Sequence, residues 1–167
     1  SLLGVETKAI LSGLLSVKVK GRVEIVPCSD DFSVIIDYAH NRARLEAVLT
    51  TLRSYHPRRL ICLFGSVGGR TFGRRAELGE VASQLADLCI LTADNPDSED
   101  PNAICAEIAS YFGESACPYV IIPDRAEAIQ YTVSIAEEGD VILLAGKGHE
   151  TYQLIMGEKI PFSEKEI

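Results

Sequence analysis

The sequence predicts an α/β fold with a mostly parallel sheet, helices on both faces and a β-hairpin at the C-terminal end. Short apolar runs alternate with segments of helical periodicity, which is the pattern of strand–helix–strand crossovers. The runs are largely apolar, as in strands whose two faces are both covered. Four of them end in polar or glycine-rich residues, at the edge where ligands bind in open α/β sheets. The predicted arrangement is Rossmann-like.

The apolar runs predict six strands of the main sheet. Residues 60–64 and 141–145 are the clearest, because each is a short apolar run that stops at a glycine. The first two runs are close enough in sequence to form a strand pair. The predicted strands of the sheet are residues 23–26, 33–36, 60–64, 88–91, 119–122 and 141–145. A hairpin around Met156 and Gly157 is predicted to have its strands at residues 152–155 and 159–162.

Four helices are predicted between these strands. In residues 42–55, leucine and valine side chains recur at helical spacing. Pro101 suits the first turn of a helix, and Asp124 is suited to cap one. Arg74 and Arg75 precede the second helix and are expected to be solvated at its start. The predicted helices are residues 42–55, 76–85, 102–112 and 125–136.

Composition limits the classes of function. The chain has 167 residues, 47% hydrophobic and 24% charged, which is the balance of one globular domain. A net charge of −8 disfavours nonspecific binding to nucleic acid or to an anionic membrane, but leaves room for a small anionic ligand held by a few arginines and lysines. No apolar run approaches the ~20 residues that span a bilayer. The five cysteines include no C-x-x-C pair, which argues against a disulfide framework or a zinc site and predicts a reduced, cytoplasmic protein.

Residues 1–20 are expected to lie outside the main fold. They fit a short amphipathic helix interrupted by Gly4 and Gly13, followed by a linker. Two interpretations stay open: the end of a preceding domain, or a peripheral first helix. The main domain is predicted to cover residues 21–167.

Two of the strand ends carry binding chemistry of opposite charge. The glycine-rich residues 65–70 would let backbone N–H groups approach an anion, or they form a tight turn. Arg70 at the end of this segment is placed to hold a carboxylate with two hydrogen bonds. Asp94-Asn95-Pro96-Asp97 has the form of a turn, but its carboxylates and amide would also bind a cationic amine.

The other two strand ends carry histidines and a lysine. His40 follows Asp37, and either a structural or a catalytic role fits it. Residues 146–150, Gly-Lys-Gly-His-Glu, lack the serine or threonine and the spacing of a P-loop, and no such loop occurs in the sequence. Any phosphate-binding loop for ATP is therefore expected outside this chain. A stand-alone Rossmann-like domain that binds a dinucleotide or an amino acid remains an alternative.

These motifs together resemble the C-terminal domain of the Mur ligase family, and within it the MurE-like UDP-N-acetylmuramoyl-tripeptide synthetases. The most specific are Asp-Asn-Pro at residues 94–96 and Gly-Lys-Gly-His-Glu at residues 146–150, in this order and spacing. A folylpolyglutamate synthase would share the architecture but is not expected to carry both. The resemblance rests on residues 21–24, 37–40, 64–75, 94–96, 124–129 and 146–153.

The resemblance implies a three-domain ligase of which this chain is the last part. Residues 1–20 would be the end of the central domain and its linker, and residues 21–167 the amino-acid-binding domain. ATP and Mg²⁺ would be bound mainly by the central domain, and ATP would phosphorylate the D-glutamate carboxylate of UDP-MurNAc-L-Ala-D-Glu. The amine of a diamino acid would then attack the acyl phosphate to extend the peptidoglycan precursor. This domain alone would be inactive, with no catalytic residue or metal ligand of its own.

The same resemblance assigns residues to two ligands. For the incoming amino acid, Arg70 would bind the carboxylate, Asn95 and Asp97 would line the side chain, and Gly146 and Glu150 would hold the far end. The residues that would contact the adenine and ribose of the nucleotide are Arg22, Asp37, Tyr38 and His40.

Position 97 departs from the family's pattern. The diaminopimelate-adding members carry an arginine there, which pairs with the distal carboxylate of the substrate, whereas this chain has Asp97. Two carboxylates buried together would repel each other, so L-lysine is expected as the added amino acid. The alternative is meso-diaminopimelate, with Arg74 or Lys147 holding the distal carboxylate. Gly69 also departs, since it replaces an acidic residue of the family.

Overall fold

The computed structural model describes residues 19–114 and 116–167. The expectation that residues 1–20 end a preceding domain falls almost wholly on residues 1–18, which lie outside the described part. In chain order the strands and helices are β1 (Glu24–Val26), β2 (Ser33–Asp37), α1 (Arg42–Arg53), β3 (Leu60–Phe64), α2 (Gly73–Leu85), β4 (Leu88–Leu91), α3 (Pro101–Ala109), β5 (Tyr119–Ile121), α4 (Arg125–Ser134), β6 (Val141–Ala145), β7 (Tyr152–Ile155) and β8 (Glu158–Pro161). From β2 to β6 strands and helices alternate, and further strands precede and follow this part.

Six strands form one sheet in the order β1-β2-β6-β3-β4-β5. β1 runs antiparallel to β2, and every other neighbouring pair is parallel. β6, the last of the six along the chain, lies between β2 and β3. Because the parallel strands end at one edge, the loops that follow them meet there. The predicted mostly parallel α/β fold is confirmed.

Both faces of the sheet are covered. Alternate residues of β3 point to opposite faces: Leu60, Cys62 and Phe64 to one, and Ile61 and Leu63 to the other. The first face packs against α1, α2 and α3, and the second against α4. β3 is buried along its whole length, which is why its sequence is apolar at every position.

The helices begin at side-chain caps, except for α2. The Asp124 side chain accepts a hydrogen bond from the Glu127 amide at 2.9 Å, as predicted, and Asn41 and Asp100 cap α1 and α3 in the same way. α1, α3 and α4 end earlier than predicted, because the chain turns back toward the next strand. α2 starts earlier than predicted, at Gly73. Among the described residues, no helix is long and apolar enough to cross a membrane.

β7 and β8 form the predicted hairpin as a separate two-stranded sheet. Leu154 lies opposite Lys159 across it. Asp97 attaches the hairpin to the loop after β4: its amide donates to the Leu154 carbonyl, and its carbonyl accepts from the Met156 amide, both at 2.9 Å. The hairpin therefore forms one side of the edge where the parallel strands end.

Candidate functional site

A cavity of about 540 Å³ opens at the carboxyl edge of the sheet. Its walls come from the loops after β2, β3, β4 and β6 and from the hairpin. All the residues that the resemblance assigned to the amino acid line this cavity: Arg70, Asn95, Asp97, Gly146 and Glu150. Residues from three separate loops therefore meet in one place, because parallel strands deliver their following loops to the same edge.

Lys147 is buried behind the cavity wall and binds two of the residues that line it. Its side chain is fully buried, and its Nζ donates to Asn95 Oδ1 and to Glu150 Oε2, each at 3.0 Å. Asn95 Nδ2 also donates to Glu150 Oε2 at 3.0 Å, and the Leu154 amide donates to Asn95 Oδ1 at 2.9 Å. We call Lys147, Asn95 and Glu150 the buried frame. Because the Lys147 ammonium is enclosed by these contacts, the geometry does not favour the suggestion that it holds a substrate carboxylate.

Asp94 lies beside the buried frame. Its Oδ1 is buried, 3.7 Å from Lys147 Nζ, and accepts no hydrogen bond from the described residues. A Cβ at Gly146 would lie 3.3 Å from Asp94 Oδ2, and Gly146 has a φ of +111°, so a larger residue would be strained there. Asp94 therefore places a second carboxylate on the cavity wall, next to a backbone position suited to glycine.

The glycine-rich loop after β3 packs against the loop after β4. A Cβ at Gly68 would fall 1.9 Å from the Pro96 carbonyl oxygen, so only glycine fits there. The Gly68 amide donates to the Asn95 carbonyl at 2.9 Å, and the Gly69 amide donates to Glu99 Oε2 at 2.8 Å. Both amides are thus used within the protein, which favours the tight-turn interpretation of this loop over the anion-binding one. Gly69 has a φ of +68°, in the left-handed region that glycine adopts without strain.

Arg75 is buried, and the prediction that it is solvated was wrong. Its guanidinium binds Glu99 Oε2 at 2.7 Å and Glu107 Oε2 at 2.5 Å. The Arg75 side chain is 1% exposed. Hydrogen bonds from Arg75 and then from the Gly69 amide hold the pKa of Glu99 below its usual value. Glu99 therefore connects the start of α2 to the loop that carries Arg70. Local periodicity could not reveal this, because both carboxylates come from a later part of the chain.

Three cations on the cavity wall contrast with Lys147. Arg70, Arg74 and Lys159 line the cavity, and none of them forms an ion pair with a described residue. We call these three residues the cationic rim. Arg70 and Arg74 follow β3, whereas Lys159 lies on β8 with its Nζ 4.3 Å from the centre of the Tyr152 ring. The rim offers positive charge to an anionic ligand without breaking any internal pair.

Asp97 has a structural partner already. Its Oδ1 accepts a hydrogen bond from the Gly157 amide at 2.7 Å, in the turn of the hairpin. Its φ of +53° places it in the left-handed region, where aspartate is tolerated better than most residues. One of the two carboxylate oxygens that were expected to receive a substrate ammonium is therefore engaged with the backbone.

A second group of side chains surrounds Tyr38. The Arg22 guanidinium lies 5.0 Å from the centre of the Tyr38 ring, and the rings of His40 and His149 lie 4.5 and 5.0 Å from it. His149 was not assigned to this group from the sequence, although its motif ends a strand as His40's does. Asp37 differs from the others: it is buried, and its Oδ2 accepts from the Val23 amide at 2.8 Å.

Arg125 supports the cavity from beneath. It is 1% exposed and donates to the carbonyl of Ala93 in the loop after β4, to the carbonyl of Ala145 at the end of β6, and to Glu164. Burial raises the pKa of Glu164 even though Arg125 lies against it. The sequence pattern placed Arg125 only at a helix start, because its partners lie in the loop after β4, on β6 and in the C-terminal tail.

The described residues contain no group of three or more histidine, cysteine, aspartate and glutamate side chains arranged to hold a metal ion. The polar chemistry of the carboxyl edge is instead that of carboxylates, amides and cations. Such a set can bind a zwitterionic ligand, with carboxylates against the cationic rim and ammonium groups against Asp94 and Glu150.

Comparison with known proteins identifies relatives over nearly the whole chain. Residues 21–148 match the family described as Mur ligase, glutamate ligase domain. The UDP-N-acetylmuramoyl-L-alanyl-D-glutamate–2,6-diaminopimelate ligase of Caldanaerobacter subterraneus subsp. tengcongensis is 48% identical over 165 residues, which cover 99% of this chain and 34% of that protein. The enzyme of the same name from Clostridioides difficile is 40% identical over 167 residues, covering 99% of this chain and 34% of that protein. The chain thus spans about a third of the length of these curated relatives.

Solved structures give the same result at the level of the fold. A UDP-N-acetylmuramoyl-L-alanyl-D-glutamate–2,6-diaminopimelate ligase matches 98% of this chain and 34% of its own, with a TM-score of 0.81 and 33% identity. The folylpolyglutamate synthase of Mycobacterium tuberculosis matches 86% of this chain and 33% of its own, with a TM-score of 0.68 and 21% identity. The second match is a likeness of fold alone.

Proposed function

We propose, because this chain belongs to the Mur ligase family, that it is the amino-acid-binding domain of an ATP-dependent ligase that adds a diamino acid to UDP-N-acetylmuramoyl-L-alanyl-D-glutamate. One observation carries the proposal. Arg70, Asn95, Asp97, Gly146 and Glu150 line a single cavity, and the buried frame holds two of them in place in advance. A preorganised polar wall of this kind suits a small zwitterion whose orientation matters.

The reaction class is the formation of an amide bond from a carboxylate and an amine. The D-glutamate carboxylate would be activated as an acyl phosphate at the expense of ATP, and the amine of the bound amino acid would displace phosphate. The task of this chain is to hold the amino acid by its carboxylate at Arg70 and to direct its amine toward the activated group. The sequence has no P-loop, so we place the phosphates of ATP and the Mg²⁺ on a part of the ligase outside this chain.

Arg22, Tyr38 and His40 suit the adenine and ribose of the nucleotide. Together they offer a half-exposed aromatic ring with a guanidinium 5.0 Å from its centre, and such a surface can stack against a purine. We retain these three residues as the nucleotide contacts and add His149, whose ring also lies against Tyr38. Asp37 fits less well, because its buried carboxylate already accepts a hydrogen bond from the Val23 amide. We therefore propose a structural role for it, holding Val23 against the end of β2.

The added amino acid is proposed to be 2,6-diaminopimelate, and the expectation of L-lysine is given up. Relatives at 40–48% identity are named for diaminopimelate. Asp97, on which the lysine argument rested, uses one oxygen to bind the Gly157 amide. The cationic rim supplies more positive charge than the single carboxylate of lysine requires, whereas diaminopimelate carries two carboxylates.

Steady-state kinetics of the full-length ligase test both levels of this proposal. Phosphate release would be measured with ATP, the UDP-linked precursor and either meso-diaminopimelate or L-lysine. We expect kcat/KM for meso-diaminopimelate to exceed that for lysine by about a hundredfold. A preference for lysine would overturn the choice of amino acid but not the ligase assignment. Absence of amino-acid-dependent phosphate release with either substrate would overturn the ligase assignment itself.

A further inference from the structure

We infer that Lys159 is the residue that selects diaminopimelate, by binding the carboxylate at the end of the substrate that Arg70 does not hold. The inference rests on the proposed function and adds to it a specificity residue on the hairpin. It begins from a chemical requirement: the second carboxylate of diaminopimelate needs a cation in the cavity, and position 97 carries an aspartate.

The position of Lys159 is fixed by the hairpin. Lys159 lies opposite Leu154 in the β7–β8 pair, and the Leu154 amide donates to Asn95 Oδ1. Lys159 is therefore one strand away from the buried frame. The Tyr152 ring, 4.3 Å from Nζ, supports the ammonium on the cavity wall through a cation–π contact.

The other cations are less suitable for the second carboxylate. Lys147 is fully buried and already satisfied by Asn95 and Glu150. Arg70 and Arg74 both belong to the segment that follows β3, so they serve the same side of the cavity. Lys159 comes from the hairpin, which forms a different wall. A substrate with carboxylates at both ends of its carbon chain can therefore contact cations on two walls at once.

Asp97 acquires a different role in this arrangement. Its carboxylate binds the Gly157 amide, and its backbone binds Leu154 and Met156. These contacts fix the turn that precedes Lys159. Asp97 is thus a positioning residue for the hairpin, and the positive charge comes from Lys159. Lys165, by contrast, is already paired with Glu24, which makes it a suitable control lysine.

The test compares substrates in the full-length ligase. In Lys159→Met, we expect kcat/KM for meso-diaminopimelate to fall about tenfold to a hundredfold, mainly through KM, because a charge-assisted contact is lost. We expect kcat/KM for L-lysine to stay unchanged or to rise, since lysine has no second carboxylate. Lys159→Arg should retain most of the preference, and Lys165→Met should leave the ratio of the two substrates unchanged.

Two results would overturn the inference. One is an equal loss with both substrates in Lys159→Met, which would mean that the residue only supports the hairpin. The other is an unchanged kcat/KM for diaminopimelate. Failure of the proposed function is a separate result, since it would be seen in the wild-type ligase as a preference for lysine or as no amino-acid-dependent turnover. Lys159→Glu sharpens the test, because it should reverse the ratio toward lysine.

Discussion

The cationic rim lines the cavity and the buried frame supports its wall, and the two groups treat charge in opposite ways. Lys147 is fully buried, and hydrogen bonds to Asn95 and Glu150 satisfy its ammonium. Arg70 and Lys159 lie in the same cavity without an internal ion partner among the described residues. The difference separates two tasks. Under the proposed function, the frame would fix the shape of the cavity before the amino acid binds, and the rim would keep its charges available for the carboxylates of that ligand.

This division predicts that stability and binding respond to different residues. Removing one partner of a buried ion pair leaves the other charge unsatisfied, and the loss is large. Removing an exposed charge with no partner changes stability little. Substitutions in the frame should therefore lower stability, and substitutions in the rim should weaken binding. The distinction between the two groups is lost if both kinds of substitution change both properties.

The largest effect is expected for Lys147→Met. Asn95, Glu150 and Asp94 would lose their shared cation, and the free energy of unfolding should fall by about 3–5 kcal/mol. Urea unfolding followed by circular dichroism measures it. The matched control is Lys159→Met, which removes an exposed lysine from the cavity wall and should stay within about 0.5 kcal/mol of wild type. Equal losses in the two variants would erase the distinction between frame and rim.

A smaller effect, confined to binding, is expected for Arg70→Ala. The KM of the full-length ligase for the amino acid should rise about tenfold to a hundredfold, because a charge-assisted contact worth about 1.5–3 kcal/mol is removed. The free energy of unfolding should not change measurably. An unchanged KM would mean that the substrate carboxylate is bound elsewhere on the rim.

Glu99→Gln tests whether the rim depends on support from behind. Glu99 holds both Arg75 and the Gly69 amide, next to Arg70. We expect KM for the amino acid to rise severalfold with little change in kcat, because the loop carrying Arg70 loosens. Glu107→Gln is the matched control, since Glu107 binds Arg75 but not the loop. A rise in KM with both variants would point to Arg75 alone.

Acid titration tests a second buried ion pair, Asp140 with Arg59, at the edge of the sheet where the parallel strands begin. Burial alone would raise the pKa of Asp140, but hydrogen bonds from Arg59 and the Glu137 amide outweigh it and lower the pKa below its usual value. Because the pKa is lower in the folded state, the stabilising contribution is complete above about pH 4 and is lost as the pH falls through the folded value. Asp140→Asn should therefore be less stable than wild type at neutral pH and lose less stability on acidification. Asp30→Asn, which removes an exposed carboxylate, is the matched control.

The smallest effect is expected for Arg42→Ala. Arg42 and Glu80 form an ion pair in which both side chains are 48% exposed, so solvent screens it. No measurable change in the unfolding midpoint is expected by differential scanning calorimetry. A clear loss would show that exposed pairs in this fold contribute as buried ones do.

The sequence was sufficient where chemistry is local. Apolar runs predicted the strands, and the residues that follow them predicted which side chains meet at the carboxyl edge, because a parallel sheet brings its loops together. It was insufficient for Arg75, Lys147 and Asp97. The surroundings of each depend on partners far along the chain. Arg75 binds Glu99 and Glu107, Lys147 binds Asn95, and Asp97 binds the Gly157 amide. No local pattern reveals which charge a distant segment will cover. The argument for lysine met the same limit, because the hydrogen bond from the Gly157 amide to Asp97 could not be inferred from the sequence.

The central place of β6 has a consequence for how the chain is made. β6 is the last strand of the main sheet to leave the ribosome, and it pairs with β2 on one side and β3 on the other. Until Val141 and the residues after it have emerged, β2 and β3 are separated by an empty strand position. Folding must therefore wait for contacts between distant segments, which slows it and keeps strand edges open during synthesis. A nascent chain that stops before Val141 would lack the whole cavity and not just one of its walls.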